Sequence, residues 1–176
     1  MSEGLSQYPC ALAVAGEHVY VGLSSLTGEQ WNGSVSVFSS SSSSSSSVVS
    51  LRHGVSSLAA VDSSLLFAAS DGPQLHVLRA HGLALKEEAA LAGHHAPVCA
   101  VAKCRKDEIV SSSRDMASIV WDAATQSVLQ IVDVHETPLA LNAATQEGHF
   151  ASYSPDDRHL KIFKVLFFQF FFFFFF

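Results

Sequence analysis

Along most of the chain, short apolar runs alternate with Ser, Asp, Gly and His, the period-two pattern of half-buried β-strands punctuated by turn residues. The predicted strands are Val19 to Leu23, Val35 to Phe38, Leu65 to Ala69, Leu75 to Leu78, Val98 to Ala102, Ile109 to Ser113, Ser118 to Trp121 and Val128 to Val132. No window holds the helical period over a useful length. The Ala- and Glu-rich stretch Leu83 to Leu91 contains helix formers, but it is short and lies between strands, so it reads as a connecting strand. The expected fold class is all-β.

Two segments break the pattern. Positions 39 to 47 are nine consecutive serines, with no side chain able to build a core, and they read as a flexible loop interrupting the domain. A phosphorylatable tract is the other reading, but no basic or acidic flank marks a kinase site. Residues 166–176 are apolar except Gln169, well short of the roughly 20 residues that span a bilayer. This Phe-rich tail has no packing period and reads as translated non-coding sequence or a frame error. The domain is expected to occupy residues 8–165.

Within it the turn aspartates Asp71, Asp115 and Asp157 recur at intervals of 44 and 42 residues, a propeller-blade period. Gly93-His94, then Ser111-Ser112-Ser113-Arg114-Asp115, then Trp121-Asp122, with 26 residues between the two dipeptides, resembles a WD-repeat blade. That resemblance implies a buried polar chain in which a strand serine links the Trp121 indole N–H to His94, and His94 to Asp115. Ser111 and Ser113 share a strand face, and either can supply the hydroxyl. A hydrolase triad uses the same three residue types, but the blade accounts for all of them and no Gly-x-Ser-x-Gly turn is present. Weaker copies flank this unit: Leu65 to Ser70 with Asp71-Gly72 and Gln74 to Leu78, then His135 with Asp156-Asp157 and His159 to Phe163.

The first unit, Val19 to Leu23 with Gly33 to Phe38, is interrupted by Ser24 to Asn32, which reads as a long loop carrying Trp31. Gly22 to Ser34 as a whole resembles the first-blade loop of the methylosome WD-repeat family, the propeller partners of the arginine methyltransferase that makes symmetric dimethylarginine. The resemblance covers about residues 8 to 165. It implies a non-catalytic seven-bladed propeller of which about four blades are present here. It also implies a partner-binding position at Trp31, with Gln30 and Glu29 beside it, and it implies presentation of basic substrates such as histones and Sm proteins. The chain departs from the family in lacking its longer N-terminal extension, in the serine run after Phe38, and in having nothing that matches the later blades. Trp31 as a core residue is the competing reading. Four blades leave two sheet faces uncovered, so the isolated chain is expected to aggregate or to pair with a second copy.

Composition narrows the rest. Ten Lys plus Arg against 16 Asp plus Glu give a net charge of -6 over 176 residues, which disfavours direct nucleic-acid binding and suits a basic partner. The mean hydropathy of +0.27 is inflated by the tail, which holds nine of the 13 Phe residues. The N-terminus resembles no secretion or transit signal, and three cysteines, Cys10, Cys99 and Cys104, lack disulfide-like spacing. A cytoplasmic and nuclear protein without membrane contact is the expectation. His94-His95 with Cys99 and Cys104 has no Cys-x-x-Cys pair to make a zinc site. Lys103, Arg105 and Lys106 are offset by Asp107 and Glu108. Glu87-Glu88 and Asp156-Asp157 are surface carboxylate pairs that could face a basic tail. No glycine motif for a cofactor occurs, and neither cofactor nor catalytic residue is expected.

Overall fold

The computed structural model describes residues 7–27, 30–133 and 135–165, and no helix occurs among them. Fifteen strands form four antiparallel sheets in sequence order. The first holds β1 (Gln7–Ala15), β2 (His18–Thr27), β3 (Gln30–Ser39) and β4 (Ser42–Leu51). The second holds β5 (Val55–Ala60), β6 (Leu65–Ser70), β7 (Leu75–His81) and β8 (Ala84–Leu91). The third holds β9 (Val98–Arg105), β10 (Glu108–Ser113), β11 (Ala117–Asp122) and β12 (Ser127–Asp133). The fourth has three described strands, β13 (Leu141–Ala144), β14 (His149–Ser154) and β15 (His159–Lys164). The Ala- and Glu-rich window is β8, the outermost strand of its sheet.

These sheets are propeller blades. The innermost strand of each packs across its predecessor: β5 over β1 to β3, β9 over β5 and β6, β13 over β9 and β10. Three apolar clusters fill the gaps. Tyr20, Val35 and Val37 meet Leu58, Leu66 and Leu78 between blades one and two. Phe67, Leu75 and Val77 meet Ile109, Ile119 and Trp121 between two and three. Val110 and Val120 meet Phe150 between three and four. Leu66, Phe67 and Leu75 are fully buried, each stabilising the fold by about 1.5–3 kcal/mol.

Two expectations are corrected by the backbone. The serine run is not a loop: Ser40 and Ser41 make the turn, and β4 starts at Ser42. Its pairing with β3 uses main-chain groups, so side chains unable to build a core can still occupy an edge strand. The stretch from Ser24 to Asn32 is not a long loop either. The β2–β3 register runs unbroken from His18↔Ser39 to Thr27↔Gln30, so the hairpin extends beyond the blade body and leaves only positions 28 and 29 between its strands. Ser24, Leu26, Trp31 and Asn32 are compatible with pairing, because the ladder asks only for extended backbone. The Phe-rich tail lies outside the described residues.

Candidate functional site

Strand polarity gathers the β2–β3, β6–β7, β10–β11 and β14–β15 turns and the links between blades at one end, the upper face. The third blade carries a polar chain there. Trp121 Nε1 donates to Ser111 Oγ at 2.8 Å, Ser111 Oγ lies 2.8 Å from His94 Nε2, and His94 Nδ1 lies 2.9 Å from Asp115 Oδ2. Asp115 also accepts the amides of His95 and Ala117. Because the serine accepts the indole proton, its own proton points to Nε2, so the imidazole carries its hydrogen on Nδ1 and gives it to Asp115. Ser113 serves elsewhere, donating to Ala96 O at 2.9 Å and accepting the Asp115 amide. The arrangement positions strands: Ser111 is fully buried and its hydroxyl is engaged by Trp121 and His94, so this serine is not presented to a cleft.

Burial holds the His94 pKa below 6.5, against the opposing pull of Asp115. Burial would raise Asp115, but the His95 amide, the neighbouring His94 and the Ala117 amide together outweigh it and keep the carboxyl below 3.8. Both groups bind protons more weakly in the folded chain. The His94 contribution to stability is therefore complete above pH 6.5 and is lost as pH falls through the lower folded value, and the Asp115 contribution fades below pH 3.8. Urea midpoints measured from pH 7.5 to 5.5 should fall, and the slope should flatten in a His94→Gln variant. An unchanged slope in that variant would place the titration elsewhere.

The other blades repeat this chain in part. In the fourth, His135 Nδ1 lies 2.9 Å from Asp157 and Nε2 lies 3.0 Å from Ser152. Phe163 stands opposite Phe150 as Trp121 stands opposite Ile109, stacked on it at 5.1 Å. The second blade corrects the sequence alignment by one residue. Asp71 N donates to Gly54 O as Arg114 N donates to Pro97 O, and Gly72 N donates to Ser70 Oγ as Asp115 N does to Ser113 Oγ. Gly72, not Asp71, is the counterpart of Asp115. Leu51, Ala68 and Leu78 then stand where His94, Ser111 and Trp121 do, by the same registers. All four polar members are replaced together, so none is left buried without a partner.

Asp71 is thereby released to the upper rim. It is exposed, its carboxylate makes no hydrogen bond to the described residues, and it lines an open cleft with Trp31, Arg52 and His53. Trp31 projects from the extended hairpin opposite Leu26, and the two are 46% and 47% exposed. The hairpin is seated by Gly33, where a Cβ would come within 2.2 Å of His53 O. Gln30 opens β3; Glu29 and the Gln30 side chain lie outside what the structure describes. Sequence reasoning missed Arg52, His53 and Asp71 as neighbours of Trp31. The signal was the three-residue link Arg52-His53-Gly54, too short to hold the His94 geometry.

The cysteines do not converge. Cys99 Sγ donates to the Ser112 and Leu139 carbonyls, and burial pushes its thiol up to about 11. Cys104 is buried and its thiol is likewise raised by burial, whereas Cys10 is exposed. Iodoacetamide at pH 8 should therefore label Cys10 and spare the other two until urea unfolds the chain; equal labelling of all three in the native chain would contradict these burials. No group of three metal-ligating side chains occurs among the described residues, and no helix among them could cross a membrane.

No family model and no curated protein matches the chain. Solved structures do. The chain is similar to U3-55K (17% identity, TM-score 0.67) and to the WD40 repeats of RRP9 (16%, 0.68), covering 93% of this chain in each case. It spans about half of those two, 53% and 52%. It is also similar to the computationally designed Ika4 protein (19% identity, TM-score 0.74), with 93% of this chain and 94% of that one covered. These likenesses establish the fold: an all-β, WD40-type propeller arrangement of four blades.

Proposed function

We propose that the chain is a non-catalytic adaptor that holds a protein arginine methyltransferase and presents basic proteins, such as histones and Sm proteins, for symmetric dimethylation. The observation that carries this reading is the upper-rim cleft. An aromatic residue on the extended hairpin, half exposed beside an open cleft, has the character of an interface anchor. The exposed Asp71 carboxylate beside it suits an arginine or lysine laid across the indole ring. Arg52 offers a donor fork to acceptors around that side chain. The resemblance of Gly22 to Ser34 to the methylosome family's first-blade loop supports a methyltransferase as the partner. The net charge of -6 favours basic substrates over nucleic acid.

The test is a methylation assay with histone and Sm-protein substrates. The chain alone should transfer no methyl group, and addition to the methyltransferase should raise symmetric dimethylation. A chain that leaves the rate unchanged, while another protein complex captures it through the same rim, would assign it as a WD-repeat scaffold of that complex instead.

A further inference from the structure

His53 touches both walls of the upper-rim cleft. It is the middle residue of the link between β4 and β5 and is half-buried. Its carbonyl lies against Gly33 on the hairpin, where a Cβ would come within 2.2 Å of it. Its ring lies over Gly72, where a Cβ would stand 2.5 Å from Cδ2 and 3.1 Å from Cγ. Trp31 is two residues from Gly33 in an unbroken ladder, and Asp71 adjoins Gly72. One residue therefore joins the element that carries the indole to the element that carries the carboxylate.

The room under the ring comes from the same change that removed the polar chain from blade two. In blade three the equivalent place belongs to Asp115, whose side chain reaches His94 at 2.9 Å. Glycine at this place in blade two has no side chain, and the short link lets the His53 ring occupy the space. The turn beneath it is anchored: Gly72 N donates to Ser70 Oγ at 3.3 Å, Gly72 O accepts Val98 N at 3.0 Å, and Asp71 N donates to Gly54 O at 2.9 Å. The ring makes no hydrogen bond to the described residues, so packing rather than a polar partner holds it there. We infer that His53 is a positioning residue of this cleft. Seated on Gly72 and held at its carbonyl by Gly33, it fixes the Trp31 indole relative to the Asp71 carboxylate before a partner arrives. A cleft whose walls are already held loses less conformational freedom on binding. The inference rests on the reading of the cleft as a partner site, to which it adds the residue that keeps the two walls in place.

The test uses the whole chain labelled with 5-fluorotryptophan, whose two resonances, from Trp31 and Trp121, are told apart by Trp31→Ala. His53→Ala removes the ring. Gly72→Ala displaces it, at a backbone position outside the left-handed region. Each substitution should shift the Trp31 resonance of the free chain and leave that of Trp121 in place. Each should also weaken affinity for the methyltransferase roughly two- to tenfold, the cost of ordering one more side chain on binding. The double variant should match His53→Ala in both readouts, because the added methyl group acts only by displacing that ring. A Trp31 resonance unmoved by His53→Ala, a Trp121 resonance that moves with it, or effects that add in the double variant would each overturn the positioning role. If the methyltransferase does not bind the parent, the partner reading falls and the Trp31 resonance alone decides this one. If it binds the parent and His53→Ala equally, the partner reading stands and this one falls.

Discussion

Replacing Trp121 with alanine is expected to cost about 3–5 kcal/mol and to unfold the third blade. The side chain is 1% exposed and bridges blades two and three inside their shared cluster. It packs so closely on Gly93 that a Cβ there would meet it at 2.7 Å. Truncation removes that volume and also leaves the Ser111 hydroxyl, which accepts the indole proton at 2.8 Å, without its donor. Trp121→Phe separates the two effects. It keeps most of the packing and loses the hydrogen bond, so it should cost about 1 kcal/mol, as the fourth blade's Phe163 suggests by filling the equivalent site. Urea unfolding followed by tryptophan-independent circular dichroism reads both. A parent-like midpoint for Trp121→Ala would contradict the buried network.

Trp31→Ala is expected to do the opposite. The residue is 46% exposed and its indole nitrogen makes no hydrogen bond to the described residues, so the unfolding midpoint should stay within about 0.5 kcal/mol of the parent. Affinity for the methyltransferase should fall by at least about 2 kcal/mol, roughly thirtyfold, the loss typical of a central aromatic anchor. Asp71→Asn should weaken binding less and reduce its salt dependence, since it removes a charge from the rim and keeps the shape. A destabilised Trp31→Ala chain with unchanged affinity would make Trp31 a packing residue.

The contrast between blades shows what a sequence can disclose. Gly93-His94, Asp115 and Trp121 were readable because a buried polar chain tolerates few residue types, so its members leave a recognisable spacing. Whether Ser111 or Ser113 completes it was not readable, since both point to one face and only the hydrogen bonds distinguish them. The second blade replaces the whole chain with Leu51, Ala68, Gly72 and Leu78, and without polar markers the adjacent Asp71 drew the alignment one residue aside. The hairpin bearing Trp31 was hidden by its serines and glycines, which are turn signals locally but here sit in a ladder that has no need of their side chains. The serine strand β4 misled for the same reason: its order comes from backbone pairing, which composition does not report. Strand alternation, by contrast, disclosed the all-β class directly.

On the proposed reading, this chain binds a symmetric-dimethylating arginine methyltransferase through its upper rim. Titration of the purified enzyme with the parent chain and with Trp31→Ala, followed by calorimetry, tests it most directly. A saturable complex is expected for the parent and a roughly thirtyfold weaker one for the variant. No complex with the parent, or equal affinities for the two, would contradict it.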